Sequence, residues 1–156
     1  MNMEVKNCMY ERIIMPTFLY GSEAWNLKEI ERKKLNVNEM RCLRSMCGVT
    51  RRDQIRNEVI RSRTRVMKPL SERSDQSMLR WFGHLERMGN GRLVKRVWEG
   101  RVGGTRPRGR PKLGWDNGIR GVLEARGLTW EVAKERARDR RGWRKIVKDG
   151  VIGEHS

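Results

Sequence analysis

The side chains best suited to chemistry lie in one short basic segment. Residues 106–112 read RPRGRPK, so that four cationic side chains alternate with Pro and Gly and no carboxylate intervenes. Proline favours an extended backbone, and Gly109 lets the chain approach a surface closely. One guanidinium group can donate two parallel hydrogen bonds to a phosphate. This pattern indicates binding of a polyanion.

The same segment resembles the AT-hook, a short element that lies in the minor groove of A·T-rich DNA. Arg108 and Arg110 could enter that narrow and strongly negative groove. A single copy arises easily in an arginine-rich chain, however, so a generic phosphate-binding loop is the alternative. The candidate nucleic-acid-binding residues are Arg92, Lys95, Arg96, Arg101, Arg106, Arg108, Gly109, Arg110 and Lys112.

The charge of the whole chain favours the same kind of partner. The net charge is +17 and the sequence pI is about 11.0, and residues 51–156 carry +15 of that charge. Such an excess predicts a polyanionic partner, RNA and/or DNA. No run approaches the roughly twenty apolar residues that a membrane span needs. We therefore expect no membrane partner, and an intracellular protein that is nuclear if it functions.

The residues that usually carry catalysis are not grouped. Phosphoryl transfer needs clustered acids to hold divalent metals. The carboxylates instead stand singly among arginines and are better suited to caps and ion pairs; examples are Asp53, Asp75, Asp116 and Asp139. Three cysteines and one internal histidine, His84, do not have zinc-site spacing. We expect free thiols, no catalytic residues, no metal site and no cofactor.

Hydrophobic periodicity predicts helices throughout, and no strand signal is strong enough to build a sheet. The first helix covers residues 3–14 and ends at Pro16; its apolar residues at helical spacing are Val5, Met9, Ile13, Tyr10 and Ile14. A short extended segment or loop should follow it. Asn26 and Glu29 form a capping-box pattern for a helix over residues 27–47.

Further signals divide the middle of the chain. Gly48 should end the long helix in a left-handed conformation, and its apolar side includes Ile30, Val37, Met40, Leu43 and Cys47. Thr50 can cap a helix that runs to about Arg65, and Ser71 can cap a third over residues 71–89. The third helix is the clearest, with an apolar face of Met78, Trp81, Phe82, Leu85 and Met88. This places Trp81 in the core; the alternative is an exposed Trp81 that stacks on a base.

The last third begins with a connector. Residues 91–112 are rich in Gly and basic side chains and predict a flexible link. Pro111 can then start a helix that runs to Arg126. Residues 128–131 open a final helix, whose apolar side includes Val132, Ala133, Ala137, Trp143, Ile146 and Val147. Residues 151–156 should fray.

Several stretches together resemble the C-terminal region of LINE-type (non-LTR) retrotransposon reverse transcriptases. They read LYGSEAW (19–25), IRNEVI (55–60), LRWFGHLERM (79–88), GRP (109–111) followed by Trp115, and RGWR (141–144). The resemblance covers nearly the whole chain. Arg65 stands where relatives often have Gly, and Ala24 stands where Thr is common.

The resemblance implies a helical thumb from about Leu19 and a C-terminal extension that contacts nucleic acid. The catalytic aspartate pair of the polymerase palm has no counterpart here, so a palm would have to come from a longer copy. The expected architecture is all-α: a thumb-like helical bundle over residues 1–90, the basic connector over 91–112 and a helical pair over 113–150. Two alternatives remain open: a transposon relic without function, or an unrelated basic helical DNA-binding protein with an AT-hook-like arm.

Overall fold

The computed structural model describes residues 2–100 and 114–149. Within these ranges every regular element is a helix, which confirms the all-α prediction. By its internal contacts the chain divides into two units. Unit 1 holds the residues up to 22 and residues 27–75, whereas unit 2 holds residues 23–26 and those from 76 onward. This boundary, inside a helix, was not among the sequence predictions.

Unit 1 begins with a helical segment that continues past Pro16. Helix α1 (Met3–Met9) passes through a π-helical turn (Tyr10–Ile14) into the short α2 (Met15–Phe18). In the π turn the Met15 N–H donates to the Tyr10 carbonyl. The first turn of α2 does not need the N–H that proline lacks, so Pro16 is tolerated there. The predicted stop at Pro16 was therefore wrong, and the predicted extended segment or loop begins only after Phe18, as a turn over residues 19–21.

The apolar residues predicted for this segment are buried only in part. Val5, Met9 and Ile13 are exposed, whereas Tyr10 is completely buried and Ile14 packs against the core of unit 1. The Tyr10 hydroxyl donates to the Glu39 carboxylate at 2.8 Å. The Tyr10 side of the segment therefore faces the helix that carries Glu39. Burial, followed by the hydrogen bond to Glu39, raises the pKa of Tyr10 above its usual range.

The long helix α3 (Glu29–Met46) begins two residues later than predicted, because Asn26 is not its cap. The Asn26 side-chain amide belongs to unit 2, where it donates to the Gly114 carbonyl at 2.9 Å. The Glu31 carboxylate instead accepts from the Lys28 N–H at 2.8 Å. Gly48 has a φ of +67°, which confirms the predicted left-handed end. Two residues predicted on the apolar side are exposed, Ile30 and Val37.

Helix α4 (Asn57–Thr64) is shorter than predicted, because Thr50 closes a local turn rather than capping a helix. Both the N–H and the hydroxyl of Thr50 donate to the Asp53 carboxylate. These hydrogen bonds lower the pKa of Asp53. Arg65 ends the helix in the left-handed region, with a φ of +54°. That conformation favours glycine, and an arginine adopts it only at some cost in backbone strain.

The N-terminus of helix α5 (Leu70–Glu86) is capped by side chains of another helix rather than by that of Ser71. The Leu70 N–H donates to the Glu39 carboxylate, and the Ser71 N–H donates to the Asn36 side chain. Both acceptors lie on α3. The first orphan N–H groups of α5 therefore receive tertiary partners, which no local sequence signal could predict. The core of unit 1 consists of Tyr10, Met40, Leu43, Met46, Ile60 and Val66.

Part of the predicted flexible connector is helical. Helix α6 (Leu93–Glu99) lies within residues 91–112 and packs Trp98 against the core of unit 2. The prediction of a flexible link over its first part was therefore wrong. Residues 101–112 of the connector and the tail over 151–156 lie outside the described residues.

Three helices stand where a C-terminal pair was predicted. Helix α7 (Trp115–Glu124) begins after an extended Gly114, and so not at Pro111. The predicted final helix is two helices, α8 (Trp130–Arg138) and α9 (Arg140–Asp149). Asp139 separates them because its carboxylate accepts from the N–H groups of Arg141 and Gly142, both at 2.9 Å. An aspartate cap of this kind starts a new helix.

The core of unit 2 joins α5 to the last three helices. It consists of Met78, Leu79, Phe82, Ile119, Val122, Leu123, Leu128, Ala133, Ala137, Trp143, Ile146 and Val147. The Phe82 ring lies 5.3 Å from the Trp130 ring and 5.7 Å from the Trp143 ring. These aromatic contacts hold α5 against α8 and α9.

Candidate nucleic-acid interface

A basic cavity of about 460 Å³ lies between α5 and α9 in unit 2. We call it the arginine groove. Its walls are cationic, and Trp143 and Val147 complete its lining. Helix α5 supplies Arg80, His84 and Arg87, and α9 supplies Arg140, Arg144 and Lys148.

Helical spacing places each set of basic residues on one side of its helix. The three residues of α5 stand at positions i, i+4 and i+7, and those of α9 stand at i, i+4 and i+8. Such spacings bring side chains onto one face of an α-helix. Each helix therefore presents its core side chains on one face and a row of cationic groups on another.

A close approach of the two helices fixes the floor of the groove. The Trp143 indole Nε1 donates to the Leu79 carbonyl of α5 at 2.9 Å, and this hydrogen bond is buried. A Cβ added at Gly83 would overlap the indole ring of Trp143. Only glycine at this position lets the Trp143 ring lie directly against the backbone of α5.

The electrostatics of the groove favour an anion. Among the described residues that line it, none carries a carboxylate. Burial, followed by the charge of Arg140, lowers the pKa of Arg87. The Arg87 guanidinium donates to the Ala137 carbonyl, which fixes its position. A phosphate placed here would offset the repulsion between these cations.

The structure places the sequence-predicted binding residues in different surroundings. Arg92 and Arg96 are exposed at the start and in the middle of α6. Lys95 is only 3% exposed and pairs with Glu86 at 3.6 Å and Glu99 at 3.1 Å. A buried, doubly paired lysine is not available to a phosphate, so we remove Lys95 from the candidate set. The others lie outside the described residues: Arg101, Arg106, Arg108, Gly109, Arg110 and Lys112.

The residues of the arginine groove were not among the predicted site residues. A sequence signal for them exists, because basic side chains recur at helical spacing around Trp81 and Trp143. That signal shows two basic helix faces, but it does not show that the two faces meet.

Unit 1 has a second basic cavity of about 600 Å³, between α3 and α4. Two of its arginines already have internal partners. Arg44 donates to Asn57 at 2.6 Å and to the Ile55 carbonyl, and Arg61 pairs with Glu39 at 2.6 Å. Five Lys or Arg side chains line each cavity, but Glu39 already neutralises Arg61 in the second one. Within the described residues no carboxylate pairs with an arginine of the arginine groove, which is therefore the better candidate.

Residues 2–100 and 114–149 were also compared with the requirements of a metal site, a disulfide and a membrane span. No group of three or more His, Cys, Asp or Glu residues there could hold a metal ion. Cys8, Cys42 and Cys47 are free thiols. No helix in the same residues combines the length and the apolar character needed to cross a bilayer.

Comparisons with known proteins identify one relative. A transposon-derived protein of Caenorhabditis elegans is 25% identical over 147 residues, which cover 90% of this chain and 53% of that protein. The chain therefore spans about half the length of that relative. The match supports a transposon-derived origin. No family model matches the chain, and no solved structure matches it.

Proposed function

We propose that this chain is a nucleic-acid-binding module derived from the C-terminal region of a non-LTR retrotransposon reverse transcriptase. The observation that carries the proposal is the arginine groove, in which two helices direct five permanent cations and His84 at one cavity. The net charge of +17 and the motif resemblance support it. The match to a transposon-derived protein is consistent with it.

The proposed binding is mainly to phosphates. Guanidinium groups hold phosphate oxygens in charge-assisted pairs, and these contacts position a nucleic acid without reading its sequence. The exposed Arg92 and Arg96 would extend the same attraction along α6. We therefore expect little sequence preference and a strong dependence on salt.

We assign no catalytic step to this chain. Three of its aspartates already have structural partners: Asp53 closes a turn, Asp75 pairs with Arg32, and Asp139 caps α9. A two-metal phosphoryl transfer needs acids grouped around the metals. In this proposal polymerase chemistry would come from a palm domain supplied by a longer copy, and the present residues would hold nucleic acid.

The test is the double variant Arg140→Ala/Arg144→Ala, assayed on a 20-base-pair DNA duplex across a salt series. Loss of two phosphate contacts should reduce the slope of log affinity against log salt by about 1 to 2 and weaken binding about tenfold near 0.1 M salt. Fluorescence anisotropy with a labelled duplex measures both quantities.

A matched control is Arg136→Ala/Arg138→Ala, which removes the same charge from exposed positions on α8, outside the groove lining. It should change the slope by much less. Equal effects of the two double variants would mean that overall charge, rather than the groove, determines binding. Affinity that is independent of salt in the unaltered protein would contradict the phosphate mechanism altogether.

A further inference from the structure

Trp81 does not lie where its hydrophobicity predicts. The sequence placed it on the core face of α5 with Met78 and Phe82. In the structure it is only partly buried and belongs to neither hydrophobic cluster. The prediction of a core position was therefore wrong.

Helical geometry explains the position of Trp81. At about 100° per residue, Trp81 is rotated about 60° from Met78, and His84 lies about 60° further round the helix in the same direction. Trp81 therefore stands between the core face and the basic face of α5. Its ring centroid is 5.2 Å from that of His84, and the two planes are inclined by 35°. His84 itself lines the arginine groove.

Two flat aromatic surfaces thus stand beside a cavity that is suited to phosphate. Unpaired bases stack on such side chains whatever their sequence, whereas the bases of a duplex are already stacked and paired. The volume of the groove, about 460 Å³, is in the range of a nucleotide-sized site.

We propose that Trp81 and His84 form a stacking platform for an unpaired base, and that the arginine groove takes single-stranded nucleic acid. The phosphates of the strand lie against Arg80, Arg140 and Arg144, and a base rests on the platform. This inference rests on the proposed function, since it assumes that the groove binds phosphates. It adds the substrate class, which the basic residues alone do not specify.

The experiment compares three ligands with the full chain: a single-stranded oligothymidine, an abasic strand of equal length, and a duplex. Trp81→Ala should weaken binding of oligothymidine about fivefold or more, the loss of roughly one base stack. Binding of the abasic strand and the slope of affinity against salt should not change. Trp81→Phe keeps an aromatic surface and should recover most of the loss.

Two controls separate stacking from other effects. Tyr20→Ala removes an aromatic side chain of unit 1 that is 87% exposed, and it should leave binding of oligothymidine unchanged. Arg140→Ala/Arg144→Ala should weaken all three ligands together. Thermal melting of each variant, followed by far-ultraviolet circular dichroism, shows whether the fold is retained.

The outcomes distinguish this inference from the proposed function. If the unaltered protein binds the abasic strand and Trp81→Ala does not weaken oligothymidine, the stacking platform is wrong and the phosphate groove stands. An equal loss on the oligothymidine and abasic strands would also overturn the platform. If the unaltered protein binds none of the three ligands, both proposals fail.

Discussion

At the scale of single residues, the buried carboxylate of Glu39 connects three segments of unit 1. It accepts from the Tyr10 hydroxyl at 2.8 Å, from Arg61 at 2.6 Å and from the Leu70 N–H at 3.2 Å. These donors lie in the π turn, in α4 and at the start of α5. A buried charge is tolerated only when its partners satisfy it in this way.

Removing this carboxylate should be costly. Glu39→Ala leaves the Arg61 charge and two further donors without their acceptor, so we expect a loss of about 3–5 kcal/mol in unfolding free energy. Urea unfolding followed by far-ultraviolet circular dichroism measures the change. The six tryptophans all lie in unit 2, so their fluorescence reports that unit separately.

The control is Glu29→Ala on the same helix. Glu29 pairs with Lys33 at 3.8 Å, with both side chains largely exposed. Exposed pairs contribute little, so this change should stay within about 0.5 kcal/mol. A Glu39→Ala protein as stable as the Glu29→Ala protein would contradict the role given to the buried network.

At the scale of elements, the packing of α9 on α5 depends on Gly83. The Trp143 ring occupies the space that a side chain at this position would need. The stretch WFGHL thus combines a core residue, Phe82, with a position that must stay small and a groove residue, His84. Packing and the candidate site are built from the same few residues.

Gly83→Ala should therefore destabilise unit 2, although alanine is the better helix former. Overpacking typically costs about 1–3 kcal/mol, which exceeds the roughly 0.5–1 kcal/mol gained from helix propensity. Tryptophan fluorescence during urea unfolding measures the net effect. Displacement of Trp143 should also weaken nucleic-acid binding, because Arg140 and Arg144 move with it.

Gly121 provides the matched comparison in α7. A Cβ at this position would meet open space. Gly121→Ala should therefore stabilise the protein by about 0.5–1 kcal/mol, through helix propensity and the unfolded chain. The account of Gly83 is wrong if the two alanine variants change stability in the same direction.

At the scale of the whole molecule, the positive charge lies mostly in residues 51–156. In the described part of that range, part of it lines the arginine groove, and Arg92 and Arg96 are exposed at α6. The remaining basic segment, RPRGRPK over 106–112, falls outside the described residues. Its contribution must be measured through binding.

Replacing Arg108 and Arg110 together with Ala should weaken binding to any duplex about three- to tenfold, since two phosphate contacts are lost. A larger loss on A·T-rich than on G·C-rich DNA of equal length would indicate insertion into the minor groove, as in an AT-hook. Equal losses would indicate a phosphate-binding loop. If neither duplex is bound more weakly, the segment has no role in duplex binding.

Much of the helical content was predictable because its signals are local. The 3.6-residue period marked most of the helices, and Gly48 ended α3 as predicted. Exact helix starts were less predictable, because several caps come from distant residues. Leu70 and Ser71 are capped by side chains of α3, and Asn26 bonds to Gly114.

The sequence by itself determined the all-α class and the large positive charge. Only the tertiary structure decided that the basic residues of α5 and α9 face one cavity, that Lys95 is buried between two carboxylates, and that Trp81 stands beside the groove. The physical reason is range: helix periodicity acts over a few residues, whereas the Leu79–Trp143 hydrogen bond joins positions 64 residues apart. Contacts of that separation depend on how whole helices pack, and no local pattern specifies them.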